Sequence, residues 1–179
     1  MKEDFQSIVV EPTRDVAYCD GIARQPDLYE RMADDRTPGR EALTLRNVVQ
    51  WPNIVLKVLQ GDKPVGLFLL LFVSRGTYEV HTMLTRECRG AQAIAAGRAM
   101  LAWMFETTAC TRLVSLCPDW CKESRVFARA LGGRFTGREE NRFVRQGKPA
   151  GCVHVEMTRE EWSKVQESKV QSRKEVLCR

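Results

Sequence analysis

Two titratable side chains, separated by a single residue, lie in a segment with strand character. Glu79 and His81 belong to YEVHTMLT at residues 78–85, and the alternation of a strand places both on one face. Histidine has an unperturbed pKa near neutrality, so His81 suits a general base that Glu79 orients or assists through water. We expect burial in a sheet to raise the pKa of Glu79 and to lower that of His81. The plainer interpretation is a hydrogen-bonded sheet histidine beside a surface carboxylate.

The same segment continues into a helix at Arg89-Gly90. Residues 79–105 read EVHTMLTRECRGAQAIAAGRAMLAWMF, with apolar residues at helical spacing from Ile94 to Phe105. A strand that ends at a helix start presents free backbone N–H groups and the positive end of the helix dipole. The sequence therefore predicts an anion site, suited to phosphates above all. The alternative is an ordinary turn with Arg89 in solvent.

The cysteines favour free thiols over a disulfide framework. There are seven of them, an odd number, and no CxxC pair, which is typical of a reducing compartment. Cys117 and Cys121 lie four residues apart, but with His81 and His154 elsewhere they form a poor zinc pattern. We expect inert, buried thiols and no metal, and we interpret His154 as structural.

Charge and hydropathy exclude several functional classes. The formal net charge is +5, and the basic residues gather in segments 134–148 and 164–179. Aromatic residues do not alternate with them, so solvated faces are favoured over a nucleic-acid surface, and an acidic cofactor is an equally good use of this charge. The longest apolar run, residues 65–73, is about half of a membrane span. The N-terminus has no signal-peptide layout, so we expect a cytosolic protein that does not enter a membrane.

Periodicity and turn residues predict a single domain over residues 1–179. The predicted elements are a strand at 5–11, two helices within 15–36 divided at Pro26, strands at 54–59, 65–73 and 78–85, a helix at 90–107, a strand at 113–117, a helix at 123–131, strands at 134–145 and 152–157, and a last helix from the Thr158–Glu161 capping box. This order predicts an α/β (α+β mixed) fold, with a mostly antiparallel twisted sheet and helices on both faces. The apolar stripe of the last helix thins from about residue 166, so the tail is expected to fray or to form a contact surface.

This arrangement resembles the GNAT superfamily of acyl-CoA N-acyltransferases. The segments that carry the resemblance are YEVHTMLTRECRG, AQAIAAGRAMLAWMF, SRVFARALGGRF and VEMTREEW. Within the superfamily the chain is most similar to the branch near the ribosomal-protein N-terminal acetylases, which includes phage-encoded members. The resemblance implies acetyl-CoA as donor, an amine of a protein or small molecule as acceptor, and direct transfer without a covalent enzyme intermediate. A homodimer is compatible with it.

The resemblance also assigns residues to the cofactor. The strand before the turn has a bulge in this superfamily, and its splayed backbone, here Met83, Leu84 and Thr85, pairs with the pantetheine arm. The pyrophosphate would bind the amides of the turn and first helical residues. These residues are Arg89, Gly90, Ala91, Gln92 and Ala93. The usual loop is richer in glycine, since Gln92 stands where a second glycine is common, but the amides and the dipole remain.

The helix at 123–131 lacks the tyrosine that usually acts as general acid. Cys121 and Ala128 stand where asparagine and tyrosine are usual, and Ser124 lies one turn after Cys121. The resemblance assigns Cys121, Ser124 and Phe127 to cofactor contacts, with Ser124 a candidate catalytic group; simple packing or capping is the alternative. The helical period also predicts that its apolar side chains face inward. These are Val126, Phe127, Ala130 and Leu131.

Three functional hypotheses follow from these observations. The first is an acetyl-CoA-dependent N-acetyltransferase. The second is a catalytically degenerate protein of the same fold that binds CoA or a host protein as a regulator, which the missing tyrosine and the glycine-poor loop favour. The third, a nucleic-acid-binding protein, depends on net charge alone.

Overall fold

The computed structural model describes residues 7–167. Its seven strands are β1 (Ile8–Pro12), β2 (Ile54–Gln60), β3 (Lys63–Ser74), β4 (Thr77–Leu84), β5 (Arg112–Pro118), β6 (Arg134–Arg145) and β7 (Lys148–Thr158). The helices are α1 (Val16–Ala23), α2 (Pro26–Met32), α3 (Ala91–Thr107), α4 (Lys122–Ala130) and α5, which begins at residue 159 and is helical through residue 167. Across this described range, the predicted order of elements and the mixed α/β fold are confirmed.

All seven strands form one sheet with the order β1-β2-β3-β4-β5-β7-β6. Neighbouring strands are antiparallel except β4 and β5, which run parallel. A parallel pair cannot be joined by a tight turn, so α3 supplies the crossover between these two strands. The sheet therefore has one parallel junction near its centre, at the strand–helix segment that the sequence singles out.

The core consists of two apolar clusters, one on each face of the sheet. Phe68 and Leu70 of β3 pack in the cluster that contains Met104 of α3. Leu67 and Leu69 alternate into the other cluster, which contains residues of α1 and α2. Because β3 is buried on both faces, its nearly continuous apolar run behaves as that of a central strand.

Helices α1 and α2 begin as predicted. Oδ1 of Asp15 accepts a hydrogen bond from the backbone N–H of Tyr18 at 3.0 Å, which caps α1, and Pro26 is the first residue of α2. Helix α2 ends at Met32, short of residue 36, the limit predicted for the second helix. Asp34 and Thr37 bond each other instead, since the hydroxyl of Thr37 donates to Oδ1 of Asp34 at 2.9 Å and accepts from its backbone N–H at 3.1 Å. Such local side-chain bonds compete with helix formation.

The capping box before α5 forms as predicted. The backbone N–H of Glu161 donates to Oγ1 of Thr158 at 3.1 Å, and the backbone N–H of Thr158 donates to Oε2 of Glu161 at 2.8 Å. The expectation about a frayed tail falls almost wholly outside the described residues.

The predicted inward face of α4 is partly wrong. Leu131, the C-cap residue, is buried and Phe127 is half-buried, but Val126 is 69% exposed and Ala130 is also exposed. The helical period correctly indicates an apolar face. That face covers an open cavity rather than a filled core, so its side chains keep contact with solvent.

Candidate functional site

The parallel strands β4 and β5 pair over only three positions and then separate. Residues 77–79 of β4 pair with residues 112–114 of β5. Beyond them, β4 continues to Leu84 and β5 to Pro118 without pairing with each other. A cavity of about 740 Å³ opens where they part, and residues of α2, α3 and α4 also line it. We call this wedge between β4 and β5 the slot.

The predicted bulge at the end of β4 is wrong, although the strands do splay. Pairing with β3 is regular from Phe72–Tyr78 through Gly66–Leu84. Leu84 lines the cavity, but Met83 packs in the cluster with α1 and α2, and Thr85 is buried with its N–H bonded to the carbonyl of Val65 at 3.0 Å. Beyond Glu79, β4 loses β5 as a backbone neighbour, and this separation, not a bulge, exposes its main-chain groups. Two of the carbonyls accept from side chains instead, that of Val80 from Ser115 at 3.1 Å and that of Leu84 from Arg31 at 3.3 Å.

Alternation identifies which backbone groups of β4 face the slot. Oγ of Ser115 in β5 donates to the carbonyl oxygen of Val80 at 3.1 Å, so Val80 directs its polar groups toward β5. Thr82 and Leu84 follow at a spacing of two and line the cavity with Val80. The slot thus has one wall with main-chain donors and acceptors at alternate residues.

The start of α3 forms one end of the cavity. Gly90 is the N-cap residue, with φ 56°, a left-handed value that favours glycine. The amides of Gln92 and Ile94 donate to the carbonyls of Arg89 and Gly90 at 3.2 Å. The amides of Ala91 and Ala93 donate to no residue in the range 7–167, so they are available to an anion.

Two guanidinium groups converge at this helix start. Arg89 and Arg31 both line the cavity, and the pKa of Arg89 is lowered by burial and then by the charge of Arg31. Asp27 and Glu123 oppose that shift. A bound anion would relieve the repulsion between the two cations. Arg31 lies on α2, 58 positions before Arg89, so no local sequence pattern could have associated them.

Glu79 and His81 lie together, as predicted. Nε2 of His81 is 3.0 Å from Oε1 of Glu79, and both alternate with Met83 toward the face that carries α1 and α2. The pKa of Glu79 is lowered, chiefly by its short contact with the His81 ring, with smaller contributions from the charges of Arg142 and His154. The two groups form a close pair rather than a well-aligned hydrogen bond, since Nε2 of His81 has no hydrogen-bond partner in residues 7–167. The expected rise in this pKa is therefore wrong, because the imidazole outweighs desolvation. The carboxylate stays ionised beside the ring.

Helix α4 brings its predicted residues to the cavity. Cys121, Ser124 and Phe127 all line it, and the hydroxyl of Ser124 donates to the carbonyl of Cys121 at 2.7 Å. Burial raises the pKa of the Cys117 thiol, and the neighbouring hydroxyls of Ser124 and Ser115 oppose that rise. No tyrosine lines the slot among the residues that the structure describes.

Gly97 permits the close packing of α3 against α4. A Cβ at this position would lie 2.6 Å from Cδ1 of Leu131 and 2.8 Å from Cζ of Phe127. Sequence analysis missed this role, because a glycine inside a helix shows no partner in the sequence itself.

The zinc pattern considered for Cys117 and Cys121 does not form. Within the described range, the one group of three metal-ligand side chains with its ligand atoms within 4.8 Å is Glu139, Cys152 and His154. Nε2 of His154 is 3.4 Å from Oε2 of Glu139. The six described cysteines are all free thiols. None of the helices in residues 7–167 has the length and hydropathy needed to cross a membrane.

Solved structures with the same fold are acetyltransferases. A spermidine N-acetyltransferase SpeG chimera from Vibrio cholerae and hSSAT matches at a TM-score of 0.73 and 11% identity, over 87% of this chain and 98% of that one. A probable acetyltransferase of the GNAT family from Chromobacterium violaceum matches at a TM-score of 0.71 and 19% identity, over 88% of this chain and 90% of that one. A GNAT-family acetyltransferase of Bacillus anthracis matches at a TM-score of 0.66 and 14% identity, over 88% of this chain and 98% of that one. At these identities the likeness concerns the fold, which is that of GNAT acetyltransferases.

The sequence itself has no match among curated proteins. A family model described as "Protein of unknown function (DUF2824)" matches residues 47–168, more than half of the chain. This range contains both strands of the slot, the start of α3, the Glu79–His81 pair and helix α4, but not Arg31 and the other α2 residues that line the cavity. The chain therefore belongs to the DUF2824 family and carries the GNAT acetyltransferase fold.

Proposed function

We propose that the protein is an N-acetyltransferase that moves the acetyl group of acetyl-CoA to an amine of a protein or small molecule. The observation that carries this proposal is the slot, in which parallel strands part beside a helix start with free amides. The fold neighbours and the residues lining the cavity support the same assignment.

The residues of the slot fit an elongated acyl-CoA. The amides of Ala91 and Ala93, the dipole of α3 and the two cations Arg89 and Arg31 suit a pyrophosphate. On the slot-facing backbone, the polar groups of Thr82 and the N–H of Leu84 suit the amide groups of a pantetheine arm. The carbonyls of Val80 and Leu84 already accept from Ser115 and Arg31. We therefore assign the pantetheine contacts to Thr82 and Leu84, in place of the set Met83, Leu84 and Thr85.

Transfer requires that the acceptor amine lose a proton as it attacks the thioester. The C–N bond forms, the C–S bond breaks, and the donor contributes an activated acetyl group. We assign proton acceptance to His81, with ionised Glu79 at 3.0 Å holding the ring and stabilising its positive charge. Neither His81 nor Glu79 lines the cavity itself. His81 lies between Val80 and Thr82, which do line it, so the acceptor amine would have to approach from the face that carries α1 and α2.

The departing sulfur needs no tyrosine in this scheme. A thiolate is a good leaving group, and the hydroxyl of Ser124 lines the same cavity. Its single hydrogen is donated to the carbonyl of Cys121 at 2.7 Å. We therefore propose that the hydroxyl rotates away from this carbonyl and donates its hydrogen bond to the sulfur as the C–S bond breaks.

A second candidate function is a non-catalytic protein that binds CoA. The observation that favours it is Ala128, which lies on the cavity wall where the superfamily commonly places its acid. In that case the slot and the helix start would be retained while turnover is lost.

One experiment distinguishes the two functions. The protein is incubated with acetyl-CoA and a panel of amines, namely peptides with free N-termini, lysine peptides and polyamines, and acetylated product is measured by mass. Mass detection avoids interference from the seven cysteines, which would react with a thiol reagent. Product with any amine above the protein-free rate supports transfer. Saturable CoA binding by calorimetry without product supports the second function, and absence of both results would contradict the slot assignment.

A further inference from the structure

Three potential metal ligands lie on adjacent strands outside the slot. Glu139 of β6 is the paired partner of Cys152 in β7, and His154 follows Cys152 at a spacing of two, so all three side chains share one face. Their ligand atoms lie within 4.8 Å of one another. This is the face that also carries Glu79 and His81.

The spacing of two of these ligand atoms is close to that of a filled coordination sphere. Oε2 of Glu139 and Nε2 of His154 are 3.4 Å apart. Two ligands at about 2.0–2.1 Å from a tetrahedral zinc are separated by roughly 3.3–3.4 Å. Only the thiol of Cys152 has to approach, and the ligand atoms already lie close together on two paired strands.

Burial and space around the group permit metal entry. Cys152 is fully buried, whereas the side chains of His154 and Glu139 are 40% and 42% exposed. The residue opposite His154 is Gly137, where a Cβ would meet no atom within 4 Å. Nε2 of His154 is itself shielded from solvent and has no hydrogen-bond partner within residues 7–167. The group therefore has a buried thiol, a buried imidazole nitrogen, one carboxylate that solvent can reach, and room for a fourth ligand.

A backbone irregularity places Glu139 at this position. The β6–β7 register shifts between Glu139 and Phe143, and Asn141 in that interval has φ 58°. Such bulges commonly redirect side chains at sheet edges. Arg142, in the same interval, lies 3.8 Å from Oε1 of Glu139 and is 51% exposed. An exposed pair of this kind contributes little, and it leaves Oε2 toward His154.

We propose that Glu139, Cys152 and His154 bind one divalent transition-metal ion of the zinc class, with water in the fourth position. Thiolate, imidazole and carboxylate together form a ligand set that Zn²⁺ accepts and that Mg²⁺ and Ca²⁺ disfavour. Binding replaces the S–H bond of Cys152 with an S–metal bond, and the proton passes to the buffer. The site is separate from the slot and does not depend on the acetyltransferase proposal.

The test uses cobalt and zinc added to the full chain after treatment with a chelator. Co²⁺ at one equivalent should give the near-ultraviolet charge-transfer absorption of a cobalt thiolate, and Zn²⁺ should abolish it because zinc binds more tightly. His154→Gln and Glu139→Gln, both at half-exposed positions, should each weaken Co²⁺ binding at least 10-fold. Cys152→Ser should remove the thiolate absorption.

Cys121→Ser is the matched thiol control and should leave the cobalt spectrum and affinity unchanged. If Cys152→Ser fails to fold by circular dichroism, the two exposed variants still decide the question. The proposal is overturned if Co²⁺ gives no thiolate absorption at ten equivalents, or if the absorption persists at wild-type affinity in His154→Gln and Glu139→Gln.

Discussion

Ser115 joins β5 to β4 at the point where the two strands part. Its hydroxyl donates to the carbonyl oxygen of Val80 at 3.1 Å, one residue beyond the last backbone pair, Glu79 with Val114. A side chain thus satisfies the first carbonyl that the separation leaves unpaired. This bond fixes the narrow end of the slot while the rest of β4 stays accessible to a ligand.

The phosphate assignment predicts a specific effect at Arg89. Arg89→Glu should weaken CoA binding by roughly 10- to 100-fold, because a charge-assisted hydrogen bond is lost and repulsion replaces it. Calorimetry at fixed ionic strength measures the effect. Arg86→Glu is the matched control, since Arg86 lies on the same turn, is 81% exposed and pairs with Asp27 at 3.3 Å. A loss of equal size in both variants would indicate net charge alone and contradict the assignment.

The base assignment predicts a loss of rate without a loss of CoA affinity. His81→Ala should lower kcat by about 100-fold, since a positioned base commonly contributes that much. Turnover measured with saturating donor, together with CoA calorimetry, separates the two quantities. A variant that turns over at the wild-type rate would show that His81 is a structural partner of Glu79.

The regular pairing of β3 with β4 predicts that Gly66 tolerates no side chain. A Cβ there would lie 2.4 Å from the carbonyl oxygen of Met83, and a backbone atom in a central strand cannot easily move. Gly66→Ala should lower the free energy of unfolding by about 2–3 kcal/mol. Gly21→Ala, in α1 with nothing within 4 Å of its Cβ position, should raise it by about 0.5–1 kcal/mol. Urea denaturation measures both, and equal behaviour would contradict the described register.

The capping box predicts an acid-sensitive contribution from Glu161. Its pKa is lowered, first by the hydrogen bond from the backbone of Thr158, so its contribution is present above the unfolded pKa and disappears as pH falls through the lower folded value. Glu161→Gln should cost at most about 1 kcal/mol at pH 7, because the group is partly exposed. The deficit relative to wild type should shrink below about pH 4.5.

Glu160→Gln is the adjacent control for that measurement. Glu160 contacts Lys164 at 2.7 Å, and both side chains are largely exposed. The substitution should therefore change the free energy of unfolding by no more than about 0.5 kcal/mol. Denaturant midpoints from pH 7 down to pH 3 provide the comparison. A deficit in Glu161→Gln that persists unchanged to low pH would refute the ionic cap.

Tyr18 predicts a contribution to stability that is lost in alkali. Its hydroxyl donates to the carbonyl of Gly66 at 2.7 Å, and burial raises its pKa to about 12 from 10.0. Because the folded pKa is the higher one, the contribution is complete below the unfolded pKa and is lost as pH rises through the folded value. After allowance for solvent screening it amounts to about 1 kcal/mol.

Tyr18→Phe should therefore approach wild-type stability between about pH 10 and pH 12. Tyr29→Phe, which removes an exposed hydrogen bond to the carbonyl of Pro38, is the control for general alkaline effects. If the loss of unfolding free energy in Tyr18→Phe relative to wild type is constant over this pH range, the hydroxyl does not titrate as described.

The sequence by itself determined the elements and the local signals. Its turn residues, the Asp15 cap, the Thr158–Glu161 box and the apolar periods depend on neighbours a few residues apart, so they can be found without a structure. The strand-to-helix junction at Arg89-Gly90 and the Glu79–His81 pair are local in the same sense, and the structure contains both. The anion site at that junction stays a prediction.

Only the tertiary structure decided what lies across the sheet. Several features join residues from distant parts of the chain. They are the separation of β4 from β5, Arg31 beside Arg89, Gly97 under α4, and Glu139 beside Cys152 and His154. Val126 shows the limit most directly. The helical period of α4 places Val126 on an apolar face. Whether that face packs against a core or lines a cavity depends on how far β4 and β5 diverge.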